Sequence, residues 1–149
     1  MSHTDIAPFK PHDEAALLEL LAVAELPSED LTPELLRDFI TAHVDRRLVG
    51  AAGLEHYDDV GLLRSVAVEE AHRGTGLGKK LVEVMEKQAQ DAGVRELYVL
   101  TTTAEKFFAG MGYKAADRAQ APAAIQATEQ FSSLCPSTAA FMVKSLTPA

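Results

Sequence analysis

The feature that most constrains this chain is the glycine-rich segment Arg73–Lys80, which reads RGTGLGKK. It joins the apolar run Leu62–Val68 to an amphipathic stretch that ends at Gly93. Three glycines at a change from strand pattern to helix pattern let the backbone amides approach a ligand closely. Because a helix N-terminus has unpaired N–H groups and partial positive charge, we expect a phosphate group to bind there.

Two common phosphate motifs do not match this segment. A nucleotide P-loop places four residues between its glycines and a hydroxyl after its lysine, whereas Gly74 and Gly78 are separated by three residues and Lys80 stands at the hydroxyl position. The dinucleotide fingerprint differs in its last glycine spacing. The pattern that fits is Arg73-x-x-Gly76-x-Gly78, five residues after Val68.

Composition bounds the class of protein. The chain has 149 residues, 47% of them hydrophobic, and a net charge of -8, which predicts one globular domain over residues 1–149 and argues against nucleic-acid binding. No apolar run reaches the ~18–20 residues of a membrane span, and no signal-peptide pattern opens the chain. A single cysteine fits a reducing compartment, so we expect a cytoplasmic protein without membrane contact. Five histidines without metal-ligand spacing predict no metal site.

Hydrophobic periodicity predicts a mixed sheet with helices on both faces, in the α/β class. A hairpin is expected around Asp45-Arg46, and a helix from Leu77 onward joins two parallel strands. Thr102 and Glu105 have the spacing of a capping box that opens a further helix. The predicted strands are Ile6–Phe9, Phe39–Val44, Arg47–Glu55, Gly61–Val68, Val94–Leu100, Gly112–Arg118 and Ala139–Leu146.

With these motifs the sequence resembles the GNAT superfamily of acetyl-CoA-dependent N-acetyltransferases, whose central motif is Arg/Gln-x-x-Gly-x-Gly/Ala at a strand-to-helix junction. The resemblance runs from about Phe39 to Tyr113 and includes the strand end Val66–Val68. It implies a mostly antiparallel, twisted sheet of about six to seven strands whose central parallel pair splays apart.

Two branches of the superfamily are similar in further segments. Leu63–Val68, Leu100–Glu105 and Ser133–Pro136 look like the branch found beside arsenic-resistance genes. Val99–Thr102, followed by Phe108 and Gly112-Tyr113, is similar to the acetyltransferase domain of N-acetylglutamate synthases. Both resemblances imply a small amine as acceptor, and an amino acid is one possibility.

The resemblance implies that acetyl-CoA is the co-substrate. Its pantetheine arm lies along the end of the fourth strand like an additional strand, and a backbone amide there polarises the thioester carbonyl. The amides after Arg73 hold the diphosphate. The residues expected to contact acetyl-CoA are Val66, Ala67, Val68, Arg73, Gly74, Thr75, Gly76, Leu77, Gly78, Lys79 and Phe108.

The acceptor amine must lose a proton before it attacks, so the site needs a proton acceptor. Glu55 is the first candidate and His56 the second; the alternative for Glu55 is a solvated carboxylate at a strand end. Many family members use a tyrosine to protonate the leaving thiolate, and this chain has Phe108 at that position. Tyr98 and Tyr113 are expected to pack in the core.

Three residues are candidates for acceptor binding. Arg64 interrupts an apolar strand and needs a carboxylate partner, which either this chain or the substrate supplies. Arg118 and Cys135 lie where the family varies its substrate wall. Cys135 is expected to pack as a small apolar residue or to line this wall, not to act as a nucleophile.

The sequence therefore predicts an N-acetyltransferase for a small, amine-bearing acceptor. Two alternatives stay open: a non-catalytic acetyl-CoA-binding regulatory module, and an acetyltransferase of a peptide or protein N-terminus. A homodimer is a family-based possibility.

Overall fold

The computed structural model describes residues 4–128, 131–132 and 139–146. Seven strands and five α-helices lie in these ranges. The strands are β1 Thr4–Pro8, β2 Ile40–Val44, β3 Arg47–Tyr57, β4 Val60–Val68, β5 Glu96–Thr101, β6 Lys114–Ala115 and β7 Ala140–Ser145. The helices are α1 Glu14–Val23, α2 Pro33–Leu36, α3 Leu77–Asp91, α4 Glu105–Gly110 and α5 Ala123–Gln126. Across this described part, no helix combines the length and apolar character needed to cross a membrane.

The strands form one mixed sheet in the hydrogen-bonded order β1-β2-β3-β4-β5-β7-β6. β5 pairs parallel with β4 and antiparallel with β7. The parallel register runs from Val60 opposite Glu96 to Leu63 opposite Val99, whereas β4 itself continues to Val68. The predicted mixed sheet with a central parallel pair is therefore confirmed.

The described residues fall into two compact units, and the single domain expected over residues 1–149 stays a prediction. The first unit lies within Met1–Leu54 and Ser65–Met85. A Cβ atom on its Gly53 would lie 2.3 Å from the Phe39 ring, so this close approach of β3 to an aromatic side chain requires glycine. The core of this unit contains Leu17, Leu21, Leu36, Phe39, Leu48, Ala51 and Ala67.

The predicted hairpin of β2 and β3 turns at Asp45 and Arg46. Their φ angles are +52° and +67°. Positive φ at both central residues is the hairpin-turn geometry that matches the twist of the flanking strands, and here residues other than the favoured glycine adopt it. The hairpin prediction is confirmed.

The second unit lies within Glu55–Arg64 and Glu86–Ala149. Its core contains Leu62, Tyr98, Ala121, Ile125 and Phe141. The Tyr98 and Phe141 rings stack with centroids 5.2 Å apart. This stack of large rings packs β5 against β7, the antiparallel neighbour of β5 on the side away from β4.

Two local predictions in this unit are wrong. Thr102 forms no capping box: α4 begins at Glu105 without a side-chain cap, and the Ala104 amide donates instead to the Thr101 hydroxyl oxygen at 2.9 Å. The strand expected over Gly112–Arg118 is reduced to two residues. Asp117 accepts a hydrogen bond from the Ala119 amide at 2.9 Å and thereby starts a 3-10 turn over Arg118–Gln120, which ends the extended backbone.

Candidate active site

The glycine-rich segment connects β4 to α3 in the first unit. Gly74 and Gly76 are exposed and have φ angles of +80° and +87°. A Cβ atom at either position would meet no described atom within 4 Å, so the space beside both glycines is open. Two hydrogen bonds within the segment hold the turn. Arg73 Nε donates to the Val68 carbonyl oxygen at 3.1 Å, and the Thr75 hydroxyl donates to the His72 carbonyl oxygen at 2.6 Å.

The segment of β4 that precedes this turn is irregular at one residue. Ser65 has a φ angle of +56°, in the left-handed region that non-glycine residues rarely adopt. After it, Val66 and Val68 are half-buried while Ala67 is buried. Two of the residues expected to contact the cofactor follow in α3. The Leu77 side chain packs into the core, whereas the Lys79 side chain is exposed to solvent.

A buried ion pair lies in the second unit. Arg64 Nη1 donates to Glu55 Oε2 at 2.8 Å, and the two side chains are 0% and 3% exposed. The carboxylate partner of Arg64 is thus one of this chain's own residues. The alternative of Glu55 as a solvated carboxylate is excluded, because the residue is 4% exposed.

Tyr57 is a further member of this cluster that the sequence analysis did not single out. Its hydroxyl donates to Glu55 Oε1, the oxygen that does not accept from Arg64 Nη1. The alternation of β3 places Glu55 and Tyr57 on one face, since they are two residues apart. The sequence signal for this contact is an acidic residue followed two positions later by a tyrosine.

His56, the second proton-acceptor candidate, lies outside this cluster. It is exposed and alternates to the opposite face of β3. Its Nε2 donates to the Asp58 carbonyl oxygen at 2.8 Å. The structure therefore brings Glu55 together with Arg64 and Tyr57, and not with His56.

Phe108 lies in an aromatic cluster. It is 4% exposed and meets Phe107 and Tyr113 edge to face, with centroids 5.1 and 5.4 Å away. The Tyr113 hydroxyl donates to Glu86 Oε2 at 2.8 Å, and burial together with this carboxylate raises the pKa of Tyr113. Burial, and then the charge of Glu96, raise the pKa of Tyr98. The predicted core packing of both tyrosines is confirmed.

Arg118 has partners within its own unit. Its Nη2 donates to the Ala139 carbonyl oxygen at 3.1 Å, and its guanidinium carbon lies 5.3 Å from the centroid of the Phe131 ring. Cys135, the other candidate of the substrate wall, lies outside the described residues. Within the ranges that are described, no three histidine, cysteine, aspartate or glutamate side chains are grouped so that they could hold a metal ion.

Comparison with known proteins gives a family match. The model of the acetyltransferase (GNAT) domain family matches residues 36–115. An uncharacterized N-acetyltransferase of Chlorobaculum tepidum is 36% identical over 90 residues, which cover 60% of this chain and 57% of that protein. An amino-acid acetyltransferase of Ralstonia nicotianae is 28% identical over 124 residues, which cover 76% of this chain and 28% of that protein.

A solved structure shares the fold. It is the N-acetylglutamate synthase of Neisseria gonorrhoeae, complexed with coenzyme A and N-acetyl-glutamate. The superposition has a TM-score of 0.85 at 19% sequence identity and covers 99% of this chain and 36% of the synthase. This chain thus spans between about a quarter and three fifths of the length of these three proteins.

Proposed function

Because this chain belongs to the GNAT family of acetyltransferases, we propose that it transfers the acetyl group of acetyl-CoA directly to the amine of a small, amino-acid-like acceptor. The observation that carries this proposal is the open turn between β4 and α3. Gly74 and Gly76 hold left-handed conformations there with no side chain of the described protein over them.

The turn suits a diphosphate. The first amides of α3 lack partners within the helix and lie at its positive end, where an anion is stabilised. Arg73 and Lys79 add exposed positive charge to a chain whose net charge is -8, so the attraction is local. Backbone groups of Val66 and Val68 bind the pantetheine arm, and an amide at this strand end stabilises the oxyanion of the thioester.

Glu55 is the proposed proton acceptor. An alkylammonium cannot attack the acetyl carbon until it loses a proton. The N–C bond then forms, the C–S bond breaks, and coenzyme A leaves as the thiolate. A thiol with a pKa of ~8.5 is a tolerable leaving group at neutral pH, so water can supply its proton although Phe108 offers none.

The acceptor class is supported by what the relatives act on. One is an amino-acid acetyltransferase, and the structural neighbour contains N-acetyl-glutamate. Arg64 already has Glu55 as its carboxylate partner, so we assign acceptor recognition to Arg118 instead. A planar guanidinium matches the two oxygens of a carboxylate, which suits Arg118 to the recognition of an amino-acid-like acceptor.

A panel of amines tests the proposal. We would measure coenzyme A release from acetyl-CoA with the common amino acids, glutamate first, with antimicrobial amines, and with an amine-bearing organoarsenical because of the resemblance to the arsenic-associated branch. We expect turnover with at least one amino-acid-like amine. Tight acetyl-CoA binding in calorimetry with no turnover for any member of the panel would refute it.

A second function, an acetyl-CoA-binding regulatory module, is favoured by the engagement of Glu55 with two donors and by the buried Phe108 at the position of the family's acid. It predicts acetyl-CoA binding without transfer to small amines or to peptide N-termini. Acetylation of peptides but not of free amino acids would instead indicate an enzyme of protein N-termini.

A further inference from the structure

Both carboxylate oxygens of Glu55 already accept a hydrogen bond from this chain. Oε2 accepts from the Arg64 guanidinium at 2.8 Å, and Oε1 accepts from the Tyr57 hydroxyl. With 4% of its surface exposed, the residue is also out of reach of a molecule that arrives from solvent. A proton that ends on Glu55 must therefore pass through a neighbouring group.

Tyr57 has the properties of that neighbour. It is half-buried, and its ring packs against the core of the second unit, which includes Leu62 and Ile125. A phenol is both donor and acceptor, so it can take one proton while it gives up another. We propose that Tyr57 relays the proton of the acceptor amine to Glu55, a role that rests on the proposed acetyl transfer.

The relay balances as follows. A proton of the ammonium moves to the Tyr57 oxygen while the Tyr57 proton moves to Glu55 Oε1. The free amine attacks the acetyl carbon, the N–C bond forms, and the C–S bond breaks. The second nitrogen proton, made acidic by bond formation, goes to the thiolate, and Glu55 returns its proton to solvent through Tyr57. The net products are an amide, coenzyme A and one proton.

Arg64 determines which variant can test this role. Replacing Glu55 leaves the fully buried Arg64 charge without this carboxylate, and the loss of stability would mask any effect on catalysis. Tyr57→Phe removes the relaying hydroxyl and retains both side chains of the ion pair. Tyr113→Phe is a matched control, because it removes another phenol that donates to a carboxylate, Glu86, in the same unit.

The experiment measures kcat and the KM for acetyl-CoA from pH 6.5 to 9.5, with the best acceptor of the amine panel. For Tyr57→Phe we expect kcat at pH 7 to fall about 100-fold at unchanged KM, the lower end of general acid–base effects. The deficit should shrink as pH rises, because the free amine then forms in solution. Tyr113→Phe should stay within about twofold of wild type at every pH.

A Tyr57→Phe variant that keeps its kcat, or whose loss is the same at every pH, would overturn the relay. If the wild type turns over no amine, the proposed acetyl transfer fails and the relay fails with it. If the wild type is active and Tyr57→Phe is equally active, only the relay fails. Should Tyr57→Phe not fold, fluorotyrosine at position 57 retains the shape with a more acidic phenol. We then expect the pH profile of kcat to move to lower pH, and an unmoved profile would contradict the relay.

Discussion

Glu55 and Arg64 are nine residues apart in sequence and form a 2.8 Å ion pair that is almost completely withdrawn from solvent. Removal of one member takes its partner charge away from the other, which typically lowers the free energy of unfolding by ~3–5 kcal/mol. Replacement of both members by an apolar pair of similar volume is often tolerated. We therefore expect Arg64→Met and Glu55→Leu each to lower the free energy of unfolding by about that amount, and the double variant to recover most of the loss.

Urea unfolding of the four proteins measures this coupling. The two single losses should not add in the double variant. Additive losses would show that the two side chains contribute to stability independently of each other.

The open turn predicts that glycine substitutions inside it weaken acetyl-CoA binding, whereas a substitution at a left-handed glycine elsewhere does not. Gly74→Ala, Gly76→Ala and Gly93→Ala each place a Cβ on a left-handed residue and should cost ~1–2 kcal/mol of stability. Only the two in the turn would put that Cβ beside the proposed diphosphate. We expect calorimetry to show acetyl-CoA affinity falling at least ~10-fold for these two, equivalent to ~1.4 kcal/mol, with Gly93→Ala like wild type. Equal losses for all three variants would argue against the turn as the diphosphate site.

Gly53 tests the packing of the first unit. Its Cβ would lie 2.3 Å from the Phe39 ring, so Gly53→Ala should destabilise the protein by ~1–3 kcal/mol through overpacking. Gly110→Ala in α4 is the control, because its Cβ meets no described atom within 4 Å and alanine favours a helix by ~0.5–1 kcal/mol. Thermal melts should shift in opposite directions. A Gly53→Ala melting temperature at or above that of wild type would contradict the close contact.

Tyr113 predicts how stability changes in alkaline solution. The unfolded side chain titrates near pH 10.0, and burial with Glu86 raises the folded pKa above that value. Below pH 10 both states hold the proton. Above it the unfolded state releases the proton first, so the free energy of unfolding falls by up to ~1.4 kcal/mol per pH unit for this residue. Denaturant unfolding between pH 9 and 11 should show a shallower decline for Tyr113→Phe; equal slopes would contradict the assignment. The pKa of Tyr98 is also raised, so the free energy of unfolding of Tyr113→Phe should still fall somewhat as the pH rises.

Sequence reasoning succeeded where local chemistry decides the structure. Continuous apolar runs predicted β3 and β4, and the change of pattern at Leu77 predicted the start of α3. The hairpin at Asp45-Arg46 was predicted by the strands on either side and not by the turn residues, since neither is glycine. The helix start near Thr102 was predicted too early: Thr101, the first of three consecutive threonines, accepts the side-chain bond, and α4 begins at Glu105.

The site was harder to predict because its members come from separate strands. Arg64 showed that a carboxylate partner was needed, but more than one acidic residue of the chain could have met it. Only the three-dimensional pairing identifies Glu55. Tyr57 was missed because a tyrosine near a turn is equally compatible with simple packing, and its bond to Glu55 depends on side-chain positions that residue spacing leaves open.

Ser65 restricts how this protein can be re-engineered. It holds a left-handed backbone conformation inside β4 and is buried. A β-branched or bulky residue adopts that conformation at a higher energetic cost, whereas glycine adopts it without strain. Directed-evolution libraries aimed at new acceptors should therefore keep codon 65 as serine or glycine. They should place diversity at exposed positions such as His56, where a larger side chain meets solvent.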